Sequence, residues 1–288
     1  MIPAAFKYVK ARSVAEALVL LQQHGEDAKL LAGGHSLLPA MKLRLSQPSV
    51  LIDIAGVTDL KGITNNGIQL VIGAGETYHA IATSSIVKKT CGVIATTCGD
   101  IGDIQVRNAG TIGGALAHAD PAADLTAVFL ALGGSVTAQS ASASREIAAD
   151  RLFVGMLTTA LEAGEILTKV TIPVLQQGQG AAYAKLKHPA SRYAIVGVAA
   201  RVSMSGGSVT SARVAVTGAG PKAERQAACE AALVGSNGDA AAVKAAAAKA
   251  GDRMDYLGDI HASEDYRRAM VKVYAARALS AASAQARA

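Results

Sequence analysis

The chain has 288 residues, enough for one large domain or two smaller ones, because a single core rarely keeps growing at this length. Hydrophobic residues make up 51% of it, but only 3% are aromatic and Trp is absent, so the core must consist of Ala, Val, Leu and Ile. The formal charge is +6, yet the sequence contains no polybasic run or aromatic cluster, which argues against nucleic-acid binding. No stretch supplies the ~20 apolar residues of a membrane span, and we expect a cytoplasmic protein.

The cysteines and histidines do not follow metal-binding patterns. Cys91, Cys98 and Cys229 form no C-x-x-C pair, so we expect buried free thiols rather than a disulfide framework or a zinc or iron-sulfur site. No H-x-x-x-H pair and no G-x-x-x-x-G-K-[ST] phosphate loop occur. If the chain takes part in redox chemistry, the metals must lie in another chain.

The first half of the chain predicts mixed α and β structure. Ser13 and Glu16 form a capping box that predicts a helix through Leu21. Strands are predicted at 29–31, 50–54, 68–72 and 165–172, and helices from about Thr77, at 90–101 and at 124–132. The residues between the last two helices are predicted to form a polar, Gly-rich loop.

The second half begins after a linker-like segment at 176–180. Three predicted strands, at 181–187, 195–204 and 211–217, suit an antiparallel meander. The chain from Arg225 onward is predicted to be helical, with Ser263 at the start of a helix over 266–286. We therefore expect two domains, at 1–177 and 178–288.

The first candidate binding segment, called here the first diglycine loop, directly follows a predicted strand and consists of Ala32, Gly33, Gly34, His35, Ser36 and Leu37. Adjacent glycines let the backbone approach a ligand closely, so successive N–H groups can form an anion-binding nest for a pyrophosphate. The Ser36 hydroxyl can add a hydrogen bond. The alternative is an ordinary glycine turn, which is the more common role of a single Gly-Gly pair, so this loop by itself does not decide the function.

The second candidate segment, the second diglycine loop, contains Thr111, Ile112, Gly113, Gly114 and Ala115, and is followed by Asp124 at a predicted helix start. Glycine N–H groups and Thr111 can serve phosphate oxygens, while Asp124 can accept hydrogen bonds from sugar or ribityl hydroxyls. A plain helix N-cap is an equally good interpretation of Asp124.

The motifs AGGHSLLP and TIGGALAHADPAAD resemble those of the medium, FAD-binding subunits of the molybdenum hydroxylase family. The resemblance covers essentially the whole chain, including YAK at 183–185 and SRY at 191–193, and within the family it is strongest to the aerobic carbon monoxide dehydrogenases. It implies an α+β fold, in which a PCMH-type flavin-binding region of two α/β subdomains holds FAD. A C-terminal domain with a three-stranded antiparallel sheet and helices would follow.

The same resemblance implies a role in electron transfer rather than in bond-breaking chemistry, with no catalytic residue in this chain. Its partners would be a large subunit with the molybdenum cofactor and a small subunit with [2Fe-2S] clusters, assembled as a dimer of heterotrimers. The complex could associate with the inner face of the cytoplasmic membrane. Electrons from carbon monoxide and water would reach FAD here and pass to a quinone or another acceptor. Lys185 and Tyr193 would lie near the flavin, Tyr193 shielding one face of its ring.

Several alternatives stay open at this point. Tyr193 could be a core tyrosine and Lys185 a lysine on a strand face. Ala115 departs from the family, since many relatives carry Asn there. The chain could also be a free-standing FAD-dependent reductase or oxidase, a medium subunit of a hydroxylase acting on an N-heterocycle or aldehyde, or a scaffold. A nicotinamide site at Gly73 is disfavoured because Tyr78 stands where the third glycine is required.

Overall fold

The computed structural model describes residues 1–288. Its strands are β1 (Lys7–Lys10), β2 (Ala28–Leu31), β3 (Val50–Asp53), β4 (Ile63–Asn65), β5 (Gln69–Gly73), β6 (Ser135–Gln139), β7 (Ser144–Ala148), β8 (Phe153–Gly155), β9 (Thr158–Thr159), β10 (Ile166–Pro173), β11 (Gln179–Lys187), β12 (Ala194–Ser205), β13 (Ser208–Thr217) and β14 (Glu224–Arg225). Its helices are α1 (Val14–His24), α2 (Leu37–Lys42), α3 (Tyr78–Thr83), α4 (Ser85–Asp100), α5 (Ile104–Ala109), α6 (Ile112–His118), α7 (Asp124–Leu132), α8 (Ala149–Leu152), α9 (Ala227–Leu233), α10 (Ala240–Ala247) and α11 (Glu264–Arg287). None of the helices combines the length and the apolar character that crossing a bilayer requires.

The first subdomain is a parallel sheet of order β1-β3-β2, with α1 packed against it. The helix begins where the capping box predicts, because the Ser13 hydroxyl accepts a bond from the Glu16 N–H. The Glu16 carboxylate reaches one residue further than in the usual box and accepts from the Arg12 N–H at 2.7 Å. Strand β2 runs directly into the first diglycine loop.

The second subdomain is a five-stranded sheet of order β4-β5-β10-β6-β7, antiparallel throughout. The predicted polar loop between the helices at 90–101 and 124–132 is wrong in part, since α5 and α6 lie within it. Both are capped by side chains, α5 by Asp103 and α6 by Thr111. Helices of six and seven residues are too short to show a hydrophobic period in sequence.

The C-terminal domain is an antiparallel sheet of order β11-β12-β13-β14 with α11 packed across β11 and β12. The three predicted strands are present, but the prediction of a three-stranded sheet needs correction because β14 adds a fourth. That strand has two residues, paired with Ala215 and Val216, and a segment this short carries no alternating pattern. Ser263 caps α11 as predicted.

Helix α7 joins the two halves of the molecule. All nine of its residues are buried, and it packs against β12 and β13 of the C-terminal sheet. Arg201 donates to the Leu132 carbonyl at 2.9 Å, and Arg213 donates to the Leu130 carbonyl. Arg201 thus satisfies the Leu132 carbonyl at the end of the helix, and Arg213 gives the Leu130 carbonyl a donor in addition to the Gly133 N–H. The helix therefore holds the C-terminal sheet against the first half of the chain.

Candidate functional site

The first diglycine loop leaves its backbone N–H groups without protein acceptors. Gly34 has φ +71°, a left-handed conformation that glycine adopts without strain, and its carbonyl accepts from the Leu38 N–H. The N–H groups of residues 33–37 donate to no protein atom. His35 turns its ring back to the Gly33 carbonyl, with Nδ1 3.0 Å from the oxygen. A row of uncommitted N–H groups is the arrangement that binds an anion.

The two diglycine loops meet in space. A Cβ atom on Gly33 would lie 2.7 Å from the carbonyl carbon of Ala109 and 2.8 Å from Cα of Gly110, both just before the second loop. Such distances are too short for any side chain, so the close approach of the two backbones requires glycine at position 33. Residues far apart in the sequence thus form one surface.

The second diglycine loop differs from the expectation that its N–H groups are available for a phosphate. Gly113 donates to the Ala74 carbonyl at 2.8 Å, Gly114 donates to the Thr111 hydroxyl at 3.1 Å, and Ile112 donates to Glu76. Gly113 is required for packing, since a Cβ there would lie 2.6 Å from that of Ala74. The half-buried Ala115 donates its N–H to the Thr111 carbonyl within α6.

Asp124 and Lys185 form a buried ion pair, with Nζ 2.8 Å from Oδ2 and side chains only 5% and 3% exposed. The other ammonium protons bond to the carbonyls of Asp100 and Arg192, at 3.2 and 3.0 Å, so protein atoms satisfy the whole group. The Tyr183 hydroxyl donates to the second carboxylate oxygen. Burial raises the pKa of Asp124, although Lys185 and the bond from Tyr183 oppose the rise.

The N-cap interpretation of Asp124 is wrong, because the N-cap position of α7 is Ala123 and the Asp124 carboxylate bonds to other elements. The interpretation of Lys185 as a lysine lying along a strand face is also wrong, since its ammonium group is buried. Together these two side chains tie α7 to β11.

Tyr193 lies in the loop between β11 and β12 and faces the first diglycine loop. It is 46% exposed, so the interpretation of a buried core tyrosine is wrong. Partial burial and the charges of Asp120 and Asp124 raise the pKa of its phenol, while the neighbouring Ser36 hydroxyl opposes the rise. A C-terminal residue therefore borders the same surface as the two loops.

Sequence reasoning missed one aromatic residue at this surface. The Tyr78 N–H donates to the Gly110 carbonyl at 3.0 Å, and its ring packs against Gly110. Burial raises the pKa of Tyr78, and Tyr193 is among the neighbours that add to the rise. No sequence pattern indicates this role, since Tyr78 stands out only as a departure from a nicotinamide motif.

The three cysteines are buried and unpaired, as predicted. Burial raises the pKa of Cys91 and of Cys229 to about 12, and raises that of Cys98 as well. A thiol with so high a pKa is protonated near neutral pH and is a poor nucleophile. Thiol chemistry is therefore no part of this site.

Comparison with known families identifies the chain. Residues 4–175 match the model of the FAD binding domain in molybdopterin dehydrogenase, and residues 181–282 match that of the CO dehydrogenase flavoprotein C-terminal domain. The chain is an FAD-binding medium subunit of the molybdenum hydroxylase family. It is thus the flavoprotein subunit of a molybdenum-containing oxidoreductase, and its cofactor is FAD.

The medium subunit is similar to relatives with different named activities. It is 40% identical to the carbon monoxide dehydrogenase medium chain of Hydrogenophaga pseudoflava, over 98% of both chains. It is 37% identical to the 6-hydroxypseudooxynicotine dehydrogenase complex subunit alpha of Paenarthrobacter nicotinovorans, over 100% of this chain and 97% of that one. A solved structure of the Hydrogenophaga pseudoflava carbon monoxide dehydrogenase, lacking the Mo-pyranopterin moiety of its cofactor, matches with TM-score 0.96 and 42% identity over 99% of each chain.

The residues of the medium subunit fit an FAD pyrophosphate. The uncommitted N–H groups of residues 33–37 suit two adjacent phosphates, and no side chain at Gly33 or Gly34 blocks their approach. A cleft of about 580 Å³ is lined by Lys187, Pro189, Ile195 and residues around the start of α11. The anion-binding backbone, however, belongs to the first diglycine loop and not to this cleft.

Proposed function

We propose that FAD binds with its pyrophosphate on the N–H groups of the first diglycine loop and its flavin end toward Tyr193. The observation that carries this proposal is the row of N–H groups without protein acceptors, at the place where the second loop and Tyr193 converge. Backbone donors need no rearrangement to receive a dianion, which favours tight binding. The second diglycine loop then contributes mainly by packing under the first.

The individual residues take different parts in this proposal. Ser36 can donate to a phosphate, and Tyr193 can cover one face of the flavin. The remaining proposed contact residues are Ala32, Gly33, Gly34, His35 and Leu37. We propose that the other residues of the site support it without contacting the pyrophosphate, through packing and through the buried ion pair: Thr111, Ile112, Gly113, Gly114, Ala115, Asp124 and Lys185. When bound, FAD supplies transfer of single electrons and of electron pairs, which amino-acid side chains here cannot provide.

The proposed reaction is oxidation of carbon monoxide with water to carbon dioxide, with the molybdenum cofactor in a large partner subunit and [2Fe-2S] clusters in a small one. Electrons would leave through FAD to a quinone or a similar acceptor. Similarity to the carbon monoxide dehydrogenase of Hydrogenophaga pseudoflava, at 40% identity and TM-score 0.96, supports this assignment. We also propose a dimer of heterotrimers in the cytoplasm.

A second candidate is the medium subunit of a sibling dehydrogenase that acts on an N-heterocycle or an aldehyde. The 37% identity to the 6-hydroxypseudooxynicotine dehydrogenase subunit supports it, because that value is close to the 40% of the carbon monoxide dehydrogenase relative. The substrate would contact the large subunit in either case, so the surface described here serves both candidates equally.

We propose that the chain divides into a flavin-binding part at 1–177 and a C-terminal part at 178–288. The two family matches end and begin at residues 175 and 181, on either side of this division. The bond from the Met204 N–H to the Gly178 carbonyl ties the junction to β12.

The test is purification of the native complex through this chain, followed by a visible spectrum, subunit analysis and a substrate panel. We expect flavin absorption, two companion subunits and bleaching of the flavin by carbon monoxide. Bleaching by an N-heterocycle or an aldehyde alone would favour the sibling enzyme. A flavin-free complex would contradict the FAD assignment, and an active flavoprotein without companions would contradict the proposed partners.

A further inference from the structure

The loop that carries Tyr193, residues 188–193, is a small closed unit called here the Tyr193 loop. The His188 N–H donates to the Tyr193 carbonyl at 2.8 Å, and the Arg192 N–H donates to the His188 carbonyl at 2.9 Å. Inside the loop, Nδ1 of His188 accepts from the N–H groups of Ala190 and Ser191. Because its two ends are tied together, the loop can shift as one body.

The conformation of Arg192 within this loop is locally unfavourable. Its φ is +63°, a left-handed value that costs free energy for any residue with a Cβ. Its Nε atom is buried and has no acceptor. A backbone conformation of this kind persists only where the surroundings impose it.

Two contacts from outside the loop hold Arg192 in this left-handed conformation. The buried Lys185 ammonium donates to the Arg192 carbonyl at 3.0 Å, and Nη2 of Arg192 donates to Oδ1 of Asp100 at 2.6 Å. Asp100 is the last residue of α4, in the flavin-binding half of the chain. The backbone carbonyl of Arg192 is therefore bonded to β11, and its side chain is bonded to α4.

Asp100 is the centre of a group of charged side chains, called here the charge cluster, that also contains Lys185, Lys187 and Arg192. It lies 3.6 Å from the Lys185 ammonium and 3.3 Å from that of Lys187, in addition to its bond with Arg192. Burial would raise the pKa of Asp100, but the Arg192 bond and the two lysines outweigh it and hold the pKa below its usual value. Near neutral pH the carboxylate is thus fully charged.

We propose that Asp100, Lys185 and Arg192 form a clasp that positions Tyr193 against the first diglycine loop. When the clasp is formed, Tyr193 lies against the first diglycine loop and the FAD site is complete. The fraction of molecules in this state determines the apparent affinity for FAD. Its three residues are positioning residues and need not touch the cofactor. The inference rests on the proposed FAD site, since only there does the position of Tyr193 bear on binding.

The test compares Asp100→Asn with Lys187→Gln in the full chain within its purified complex. Each variant removes one or more ion pairs at position 100. The Lys187 ammonium pairs with Asp100 but bonds to no residue of the Tyr193 loop, which makes Lys187→Gln the matched control. Hydrogen exchange of the amides at 190–193 reports on the loop without FAD, and titration of the deflavinated complex with FAD reports the dissociation constant. We expect Asp100→Asn to speed the exchange and weaken FAD binding by roughly tenfold, as when only about a tenth of molecules hold the loop in place.

A second variant distinguishes the effect of the clasp from the effect of the backbone strain at Arg192. Arg192→Gly relieves the left-handed strain but removes the bond to Asp100, so we expect faster exchange and weaker FAD binding. Tighter binding by this variant, or equal exchange in Asp100→Asn and Lys187→Gln, overturns the clasp. If the wild-type complex binds no FAD, the proposed site fails, and the exchange comparison still decides whether the clasp holds the loop.

Discussion

The glycines of the two loops serve different physical purposes, although their sequences look alike. Gly34 supplies a left-handed backbone conformation, while Gly33 allows two backbones to touch. Gly113 makes room for Ala74 rather than offering its N–H to a ligand. A Gly-Gly pair in sequence does not distinguish these purposes, because each depends on what lies opposite.

The contact at Gly33 predicts a large effect of adding one methyl group. In Gly33→Ala the new carbon would overlap the Ala109 carbonyl group and force the two loops apart. We expect a loss of about 1–3 kcal/mol in the free energy of unfolding, together with loss of FAD. Urea unfolding and flavin content of the purified complex measure both.

Gly92→Ala is the matched control for Gly33→Ala. Gly92 lies within α4 with nothing close to the position of an added Cβ. Because Gly92 directly follows the kink of α4 at Cys91, we expect unchanged flavin content and only a small change in stability. Equal flavin content in both variants would contradict the account of Gly33.

The buried pair of Asp124 and Lys185 predicts a strong effect on stability. In Lys185→Met the carboxylate would remain buried without a cation, which typically costs about 3–5 kcal/mol. Lys187→Met is the control, because its side chain is 50% exposed and such surface pairs contribute at most about 1 kcal/mol. Chemical denaturation of both variants measures the free energy of unfolding. Similar losses of this free energy in the two variants would contradict the special role of Lys185.

The charge cluster also predicts a pH dependence. The pKa of Asp100 is lower in the folded protein than in the unfolded chain. Its contribution to stability is therefore complete above the ordinary pKa of an aspartate and is lost as pH falls through the folded pKa. We expect the difference in unfolding free energy between wild type and Asp100→Asn to stay constant from about pH 5 to pH 8 and to shrink in acid. If the difference in unfolding free energy instead shrinks between pH 5 and pH 8, the assignment of a lowered pKa to Asp100 is contradicted.

At the scale of elements, the clarity of the local pattern decided whether the sequence predicted a segment. The strands β2 and β3 were predicted from their apolar residues, although each has only four residues. The three long C-terminal strands and α7 lie where their patterns place them, since eight or more residues show a clear period. The short strand β1 and the short helices α5 and α6 were missed. Their stability comes from caps and from neighbours in space, which the sequence does not show locally.

Helix α11 depends on a glycine in the strand beneath it. A Cβ on Gly180 would lie 2.7 Å from the backbone nitrogen of Ala286, so Gly180→Ala should lift the helix from β11. We expect a loss of about 1–3 kcal/mol in stability. Gly155→Ala is the control, since the nearest atom to an added Cβ there is 3.7 Å away and the expected change is small.

A stability loss for Gly180→Ala no greater than for Gly155→Ala would show that α11 adapts without cost. Thermal unfolding of the two variants in parallel gives the comparison directly. The Ala181 N–H donates to the Gln285 side chain at 3.1 Å, so displacement of the helix would also break this bond.

At the scale of the whole molecule, the site is formed by tertiary contacts between residues that lie far apart in the sequence. The motifs predicted which segments matter, and the resemblance assigned them to one cofactor. The contact of Gly33 with Ala109, the pairing of Asp124 with Lys185 and the approach of Tyr193 to Ser36 each join residues more than 50 positions apart. No local pattern encodes such contacts, which is why the sequence assigned phosphate binding to both loops equally.

The buried helix α7 links this site to the C-terminal domain, since it begins with Asp124 and ends on carbonyls bonded by Arg201 and Arg213. A shift of the C-terminal sheet would therefore reach the flavin site through α7 and through Lys185. The position of Tyr193 is thus a property of both domains together.

The most direct test of the central claim is a structure of the complex with FAD bound. We expect pyrophosphate oxygens within about 2.7–3.2 Å of several N–H nitrogens at residues 33–37, and Gly113 still bonded to Ala74. A pyrophosphate seated instead on the N–H groups of Gly113 and Gly114, or away from both loops, would contradict the account.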